Sequence, residues 1–132
     1  MIKAFIVDDE EHNRDVLKML LNKHSPNVEI IGEANNVNDA YVMIYNLKPQ
    51  LVFLDVKMPI RNGFDLLKLF KKIKFEVIFV TAYDEFAINA FELNAIGYIL
   101  KPIDYVLLTK TINKAELIIN SNKQEGVIAD FI

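Results

Sequence analysis

The run Leu51-Val52-Phe53-Leu54 constrains the fold more than any other stretch. It is short, wholly apolar and cut off by Asp55, and Pro59 soon blocks a helix. Such a run reads as a strand buried on both faces, with a carboxylate just past its C-terminal end. Burying an unpaired carboxylate is costly, so Asp55 belongs in water at a rim or beside a cation. Taken alone, the segment equally suits an Asp that caps a turn.

The flanking chain repeats the pattern. Ile2–Val7 is a compact apolar run that ends in Asp8-Asp9-Glu10. Val16, Leu17, Leu20 and Leu21 then mark one face of a helix over 13–24, stopped by Pro26. Glu10 and Glu11 suit the helix N-terminus through the dipole. Residues 28–34 form a partly alternating strand. Asn36 or Asn38 can cap the following helix, with Ala40, Tyr41, Ile44 and Leu47 inward, and Pro49 closes it. After Pro59, Gly63 is expected in a loop, with Phe64, Leu67 and Phe70 on the next helical face. Lys71, Lys72 and Lys74 read as a solvated helix end. Residues 77–80 form a strand ending at Thr81, and 85–93 a short helix. Residues 97–100 form the last strand, ahead of Lys101-Pro102. A long helix over 105–120 places Leu108, Ile112, Ala115 and Ile119 on one side. His12 and His24 are expected to face solvent. The tail 124–132 reads ambiguously, because 127–132 is too apolar for a free terminus.

Strands alternating with helices predict an α/β fold, a doubly wound (βα)5 unit with a parallel five-stranded sheet. In the flavodoxin-like order 2-1-3-4-5, ligands bind where the strand order reverses, between strands one and three. Those are the strands that end in Asp8-Asp9 and Asp55, and strands four and five bring Thr81 and Lys101 to the same rim. Two unit charges 4 Å apart interact by roughly 4 kcal/mol at an effective dielectric near 20, so three gathered carboxylates need a cation or must take up protons. An open, carboxylate-rich oxygen site suits Mg²⁺ paired with a phosphate. Lys101 offers a point charge and Thr81 a hydroxyl, both suited to phosphoryl oxygens. The pattern fits phosphoryl transfer with a carboxylate nucleophile. Asp55 stands alone at its strand end and is the candidate nucleophile; Asp8 and Asp9 are adjacent and suit the metal.

Composition narrows the classes. The 132 residues fit one domain, and 52% hydrophobic content is ample for a core. A net charge of −3 argues against direct nucleic-acid binding by this segment. There is no cysteine, and hence no disulfide or thiolate chemistry. No apolar run approaches the roughly 20 residues that span a bilayer, and no secretory leader is evident, so no membrane association and a cytoplasmic location are expected.

Four motifs carry a resemblance: Val7-Asp8-Asp9-Glu10, Leu54-Asp55-Val56-Lys57-Met58-Pro59 with Gly63, Val80-Thr81-Ala82, and Tyr98-Ile99-Leu100-Lys101-Pro102. Together they resemble the response-regulator receiver domain of two-component signalling, over the chain to about residue 122. The stretches 81–87 and 95–104 are similar to receivers of the LytTR type (LytR/AlgR-like), which usually precede a DNA-binding domain. The resemblance implies a receiver at 1–122, with 123–132 as a tail or the start of a linker to an output domain. It implies that Asp55 accepts a phosphoryl group from a sensor histidine kinase. Asp9, Asp55 and the Lys57 carbonyl would bind Mg²⁺, with Asp8 holding a metal water. Lys101 would pair with the acyl phosphate, Thr81 would move toward it, and Tyr98 would turn inward behind Thr81. Lys101-Pro102 would be cis. Lys57 and Tyr83 would flank the path of an attacking water and set the phosphate lifetime. The product is a switch rather than an enzyme, expected to form a phosphorylation-dependent homodimer around Ala87, Phe91 and Tyr98.

Two other classes fit less well. Haloacid-dehalogenase-like phosphatases carry a second Asp two positions after the nucleophile, and here that position is Lys57. A flavin-binding module needs a phosphate loop after the first strand, where acids would repel the anion. A degenerate receiver used only for interaction conflicts with the complete residue set.

Overall fold

The structure, a computed structural model, describes residues 1–131, with side chains to residue 122. Five strands alternate with five helices: β1 (Ile2–Val7), α1 (Glu11–His24), β2 (Val28–Ala34), α2 (Val37–Leu47), β3 (Leu51–Leu54), α3 (Gly63–Lys68), β4 (Glu76–Thr81), α4 (Ala87–Glu92), β5 (Gly97–Leu100) and α5 (Tyr105–Phe131). The strands form one parallel sheet in the order β2-β1-β3-β4-β5, as predicted.

Side chains alternate between the two faces of a strand, and both faces here are apolar because both are covered. Phe5, Val7, Val52, Leu54, Val77 and Phe79 point to one core with Ala40 and Ile44 of α2, Leu66 and Leu67 of α3 and Ala90 of α4. Ala4, Ile6, Leu51, Phe53, Ile78, Val80 and Ile99 point to the other, against Leu17 and Leu21 of α1 and Leu108, Ile112 and Ala115 of α5. The β3 run is buried at every position, which is why it carries no polar residue before Asp55.

Several boundaries differ from the sequence expectation. Gly63 is not in a loop; it is the first residue of α3. Asn62 caps that helix, its side chain accepting from Asp65 N–H while Asp65 accepts from Asn62 N–H. Phe70 lies beyond α3 yet still packs on the core, edge-on to Tyr41 and Phe75. Lys71, Lys72 and Lys74 are exposed in the α3–β4 connection rather than on a helix. Helix α4 is shorter than expected, since Phe86 at its N-cap offers no side-chain cap. In α2, Asn36 is the cap, Val37 is buried, and Leu47 faces solvent. His24 is half-buried, its ring stacked on Tyr105 at 4.0 Å, rather than solvent-facing. Helix α5 runs as one element to Phe131, past the expected end near 120; Ile132 and the side chains of 123–131 lie outside the described residues. Among the described residues no helix is long and apolar enough to cross a membrane.

Ile60 is fully exposed and has a φ of 72°. A β-branched residue rarely adopts that conformation. Arg61 N–H donates to the Pro59 carbonyl at 2.8 Å, closing a tight three-residue turn around it.

Candidate functional site

Because the strand order reverses between β1 and β3, the connections leaving these strands diverge and open a crevice at their C-terminal ends. Asp8 follows β1 and Asp55 follows β3, and both are buried; Asp9 is exposed. Asp55 N–H donates to the Val7 carbonyl at 3.0 Å, so the β1–β3 ladder itself sets the depth of this carboxylate. The three carboxylates each bring an oxygen within 4.8 Å of the others.

Lys101 compensates two of them. Its Nζ donates to Asp8 Oδ2 at 2.7 Å and to Asp55 Oδ2 at 2.9 Å. Burial alone would lower the lysine's pKa, but the two carboxylates outweigh it and hold the group above its usual range. The peptide that follows, Lys101-Pro102, is cis.

Two buried oxygens at the site have no hydrogen-bond partner: Asp55 Oδ1 and Thr81 Oγ1. Buried polar atoms are normally paired, so these two oxygens retain hydrogen-bonding or coordinating capacity. A hard, oxygen-seeking divalent cation fits three clustered carboxylates, and a phosphoryl oxygen fits an ammonium or a free hydroxyl. Asp9, Asp55, Lys57, Tyr83 and Lys101 line an open cleft of about 420 Å³ above these atoms.

The cleft's outer wall is a contact between two loops. Lys57 Nζ, two residues past Asp55, sits 4.1 Å from the centre of the Tyr83 ring, two residues past Thr81. It also lies 5.8 Å from the Phe86 ring. Such cation–π contacts contribute about 0.5–1 kcal/mol at exposed sites. Tyr98 on β5 is half-buried, its ring 6.0 Å from that of Phe79, and its hydroxyl donates to the Tyr83 carbonyl. Burial raises the Tyr98 phenol's pKa, and the acids Asp84, Asp55 and Glu85 add to this against an opposing backbone hydrogen bond. Thus Asp8, Asp9, Asp55, Lys57, Tyr83 and Lys101 come together at one rim. Tyr98 reaches it through the Tyr83 backbone, and His12 stays exposed on α1.

Sequence reasoning missed Arg14 and Glu33. Arg14 Nη1 donates to the Asp8 carbonyl at 2.7 Å, and its Nε to Glu33 Oε1 at 3.1 Å. No signal in the sequence singles them out, since a charge in the partly alternating run 28–34 reads as solvent-facing.

Residues 4–113 match the family model described as response regulator receiver domain. Over 116 residues, 86% of this chain, it is 45% identical to the sensory transduction protein LytT of Bacillus anthracis, covering 47% of that protein. It is 40% identical over 113 residues to the transcriptional regulatory protein BtsR of Escherichia coli strain K12, covering 85% of this chain and 47% of that one. The chain therefore spans about half the length of these curated relatives. The response regulatory domain of protein mrkE from Klebsiella pneumoniae superposes with a TM-score of 0.82 at 30% identity, over 91% of this chain and 99% of that domain.

Proposed function

This chain belongs to the response regulator receiver domain family of signalling switches, and from that premise we propose that it takes a phosphoryl group onto Asp55 from a sensor histidine kinase. The observation that carries the reading is the Asp55 carboxylate, one oxygen held by Lys101 and the other, Oδ1, without a partner, with an unpartnered Thr81 hydroxyl at the end of β4. In the proposed step a carboxylate oxygen of Asp55 attacks phosphorus, a P–O bond forms, and the bond from phosphorus to the donor's imidazole nitrogen breaks. The electron pair of that bond leaves with the imidazole. Lys101 orients Asp55 and neutralises the charge that accumulates on the phosphoryl oxygens, and Thr81 donates its hydroxyl to one of them. Asp9, Asp55 and the Lys57 carbonyl would hold Mg²⁺, with Asp8 reaching it through water; the ion supplies charge neutralisation to the transferring group. Intact-mass measurement with Mg²⁺ and acetyl phosphate tests the reading: one added phosphoryl group is expected, and none would sink it.

Output is proposed to pass through α4, β5 and α5. Ile88, Phe91, Leu100 and Val106 are exposed large apolar residues on these elements. Isolated apolar residues at a surface are ordinary, but several on adjacent elements suit a self-complementary dimer. Tyr98 sits between this face and the Tyr83 carbonyl. The expected result is that beryllofluoride, an acyl-phosphate mimic, with Mg²⁺ raises the sedimenting mass toward a dimer well above micromolar concentration. Identical masses with and without it would remove dimerisation from the mechanism. We place the receiver at 1–122 and a connection to a transcriptional output domain at 123–132. The match to half of longer regulators supports this division.

The Lys57–Tyr83 contact supports slow self-dephosphorylation. Water must approach phosphorus in line, opposite the carboxylate, past this wall. A charged lysine cannot serve as a general base there. Tyr83→Ala removes the ring and the lysine's seat, and is expected to speed loss of phosphate about tenfold, roughly 1.4 kcal/mol in barrier. First-order decay followed by intact mass checks it; an unchanged rate in both Tyr83→Ala and Lys57→Asn ends the shielding idea.

A further inference from the structure

Asp8 is held on every side. Its N–H donates to the Ala34 carbonyl at 3.2 Å, its Oδ1 accepts from Glu10 N–H at 2.9 Å, and its Oδ2 takes Lys101. The remaining group, the carbonyl, accepts from Arg14. Peptide units are planar, so fixing the Asp8 carbonyl also fixes the nitrogen and the Cα direction of Asp9. Asp9 is exposed and lies just past the strand; that peptide plane sets the point from which its carboxylate departs.

The Arg14 side chain is only 12% exposed, so its charge has to be paired. Glu33 pairs it from β2, at the register position opposite Ile6. The other Glu33 oxygen accepts from Lys18 Nζ at 2.7 Å, and Lys18 lies 3.3 Å from Asp15. Lys18 first, and Arg14 after it, hold the Glu33 carboxyl below its usual range against the opposing effect of burial. The four charges, Arg14, Glu33, Lys18 and Asp15, sum to zero. This matters because a bare guanidinium beside the aspartates would repel a divalent cation. The planar fork of arginine fits this position, since Nη1 and Nε serve two acceptors at once, which an ammonium on a flexible stem does less well.

We propose that Arg14 is a positioning residue for the metal-binding aspartates, aiming Asp9 through the Asp8 carbonyl, and that Glu33 acts through Arg14 by orienting it and cancelling its charge. The inference rests on the reading that Asp9 and Asp55 take Mg²⁺. Outer-shell partners of metal ligands typically change affinity about 10–100-fold; a contact through backbone belongs at the low end.

Calorimetric Mg²⁺ titration of the folded protein is the test, with thermal midpoints measured alongside. Arg14→Met is expected to weaken Mg²⁺ binding about tenfold, and Arg14→Lys to recover part of that loss. Glu33→Gln is expected to weaken binding several-fold, and to have no further effect in the Arg14→Met background. A merely structural clamp would lower the thermal midpoint and leave Mg²⁺ affinity untouched; that result overturns the proposal. Additive losses in the double variant overturn the claim that Glu33 acts through Arg14. If Arg14→Met does not fold, Arg14→Lys and Glu33→Gln carry the same test, and wild-type affinity in both overturns it. A wild-type protein that binds no Mg²⁺ fails differently: it removes the underlying reading, and the proposal with it.

Discussion

Asp55→Asn is expected to end phosphorylation. The amide has nearly the shape of the carboxylate, so Phe53 and Leu54 stay packed and the carbonyl oxygen of the new side chain still accepts from Lys101. It lacks the anionic oxygen that attacks phosphorus. Asp8 remains as the lysine's second partner at 2.7 Å, so the rim keeps its counter-charge and the chain keeps its fold. A loss exceeding about a thousandfold, or roughly 4 kcal/mol of barrier, is expected. Intact mass after incubation with acetyl phosphate and Mg²⁺ reads it directly: wild type gains one phosphoryl group and the variant none. Equal labelling of the variant would move the nucleophile to another side chain.

Gly63→Ala is expected to cost about 1–3 kcal/mol of stability, as overpacking against unyielding atoms does. A Cβ on Gly63 would lie 2.4 Å from the Asp55 carbonyl oxygen and 3.0 Å from Leu54 Cγ. The first of these is backbone and cannot swing aside. Nor can the helix simply withdraw, because Gly63 N–H donates to the Val56 carbonyl at 2.7 Å. Either α3 lifts from the sheet or the Asp55 peptide turns, and both displace the carboxylate. Chemical denaturation should show a lower midpoint with an unchanged slope, and phosphorylation of Asp55 should slow in parallel. A wild-type midpoint would show that the loop absorbs a methyl group without strain.

The same glycine marks where sequence reading succeeds and where it stops. Strand positions were legible because burial on both faces leaves a plain signature: unbroken apolar runs such as 51–54, each ending abruptly at a polar residue. The parallel order 2-1-3-4-5 then brought the polar ends of β1, β3, β4 and β5 to one rim. Gly63 was visible, but its role was not, since the need for it comes from a backbone 8 residues away. Arg14 and Glu33 were hidden for a related reason. Each is unremarked in its own element, and only the β1–β2 register, with its irregularity between Ala4 and Phe5, aligns Glu33 beneath α1. The Lys57–Tyr83 stack depends on two loops, where no periodicity exists to read. His24 looked like a surface residue because helical spacing says nothing about an aromatic arriving from α5.

The ion pairs of Lys101 also bear on how the chain folds. Asp8 and Lys101 are 93 positions apart, and Asp55 and Lys101 are 46 apart. Every strand pair is parallel, so each pairing must close a loop that contains at least a helix, and loop entropy is lost before the contact is gained. Chains built from such distant contacts fold more slowly than those built from neighbours. During synthesis from the N-terminus, β1 and β3 can pair long before residue 101 exists. For that interval the aspartates have no lysine, and their mutual repulsion opposes docking of the two strand ends. Arrival of β5 therefore does more than add an edge strand: it removes a penalty carried by everything made before it. On the proposed reading of Asp55, competence to receive phosphate and completion of the fold become one event.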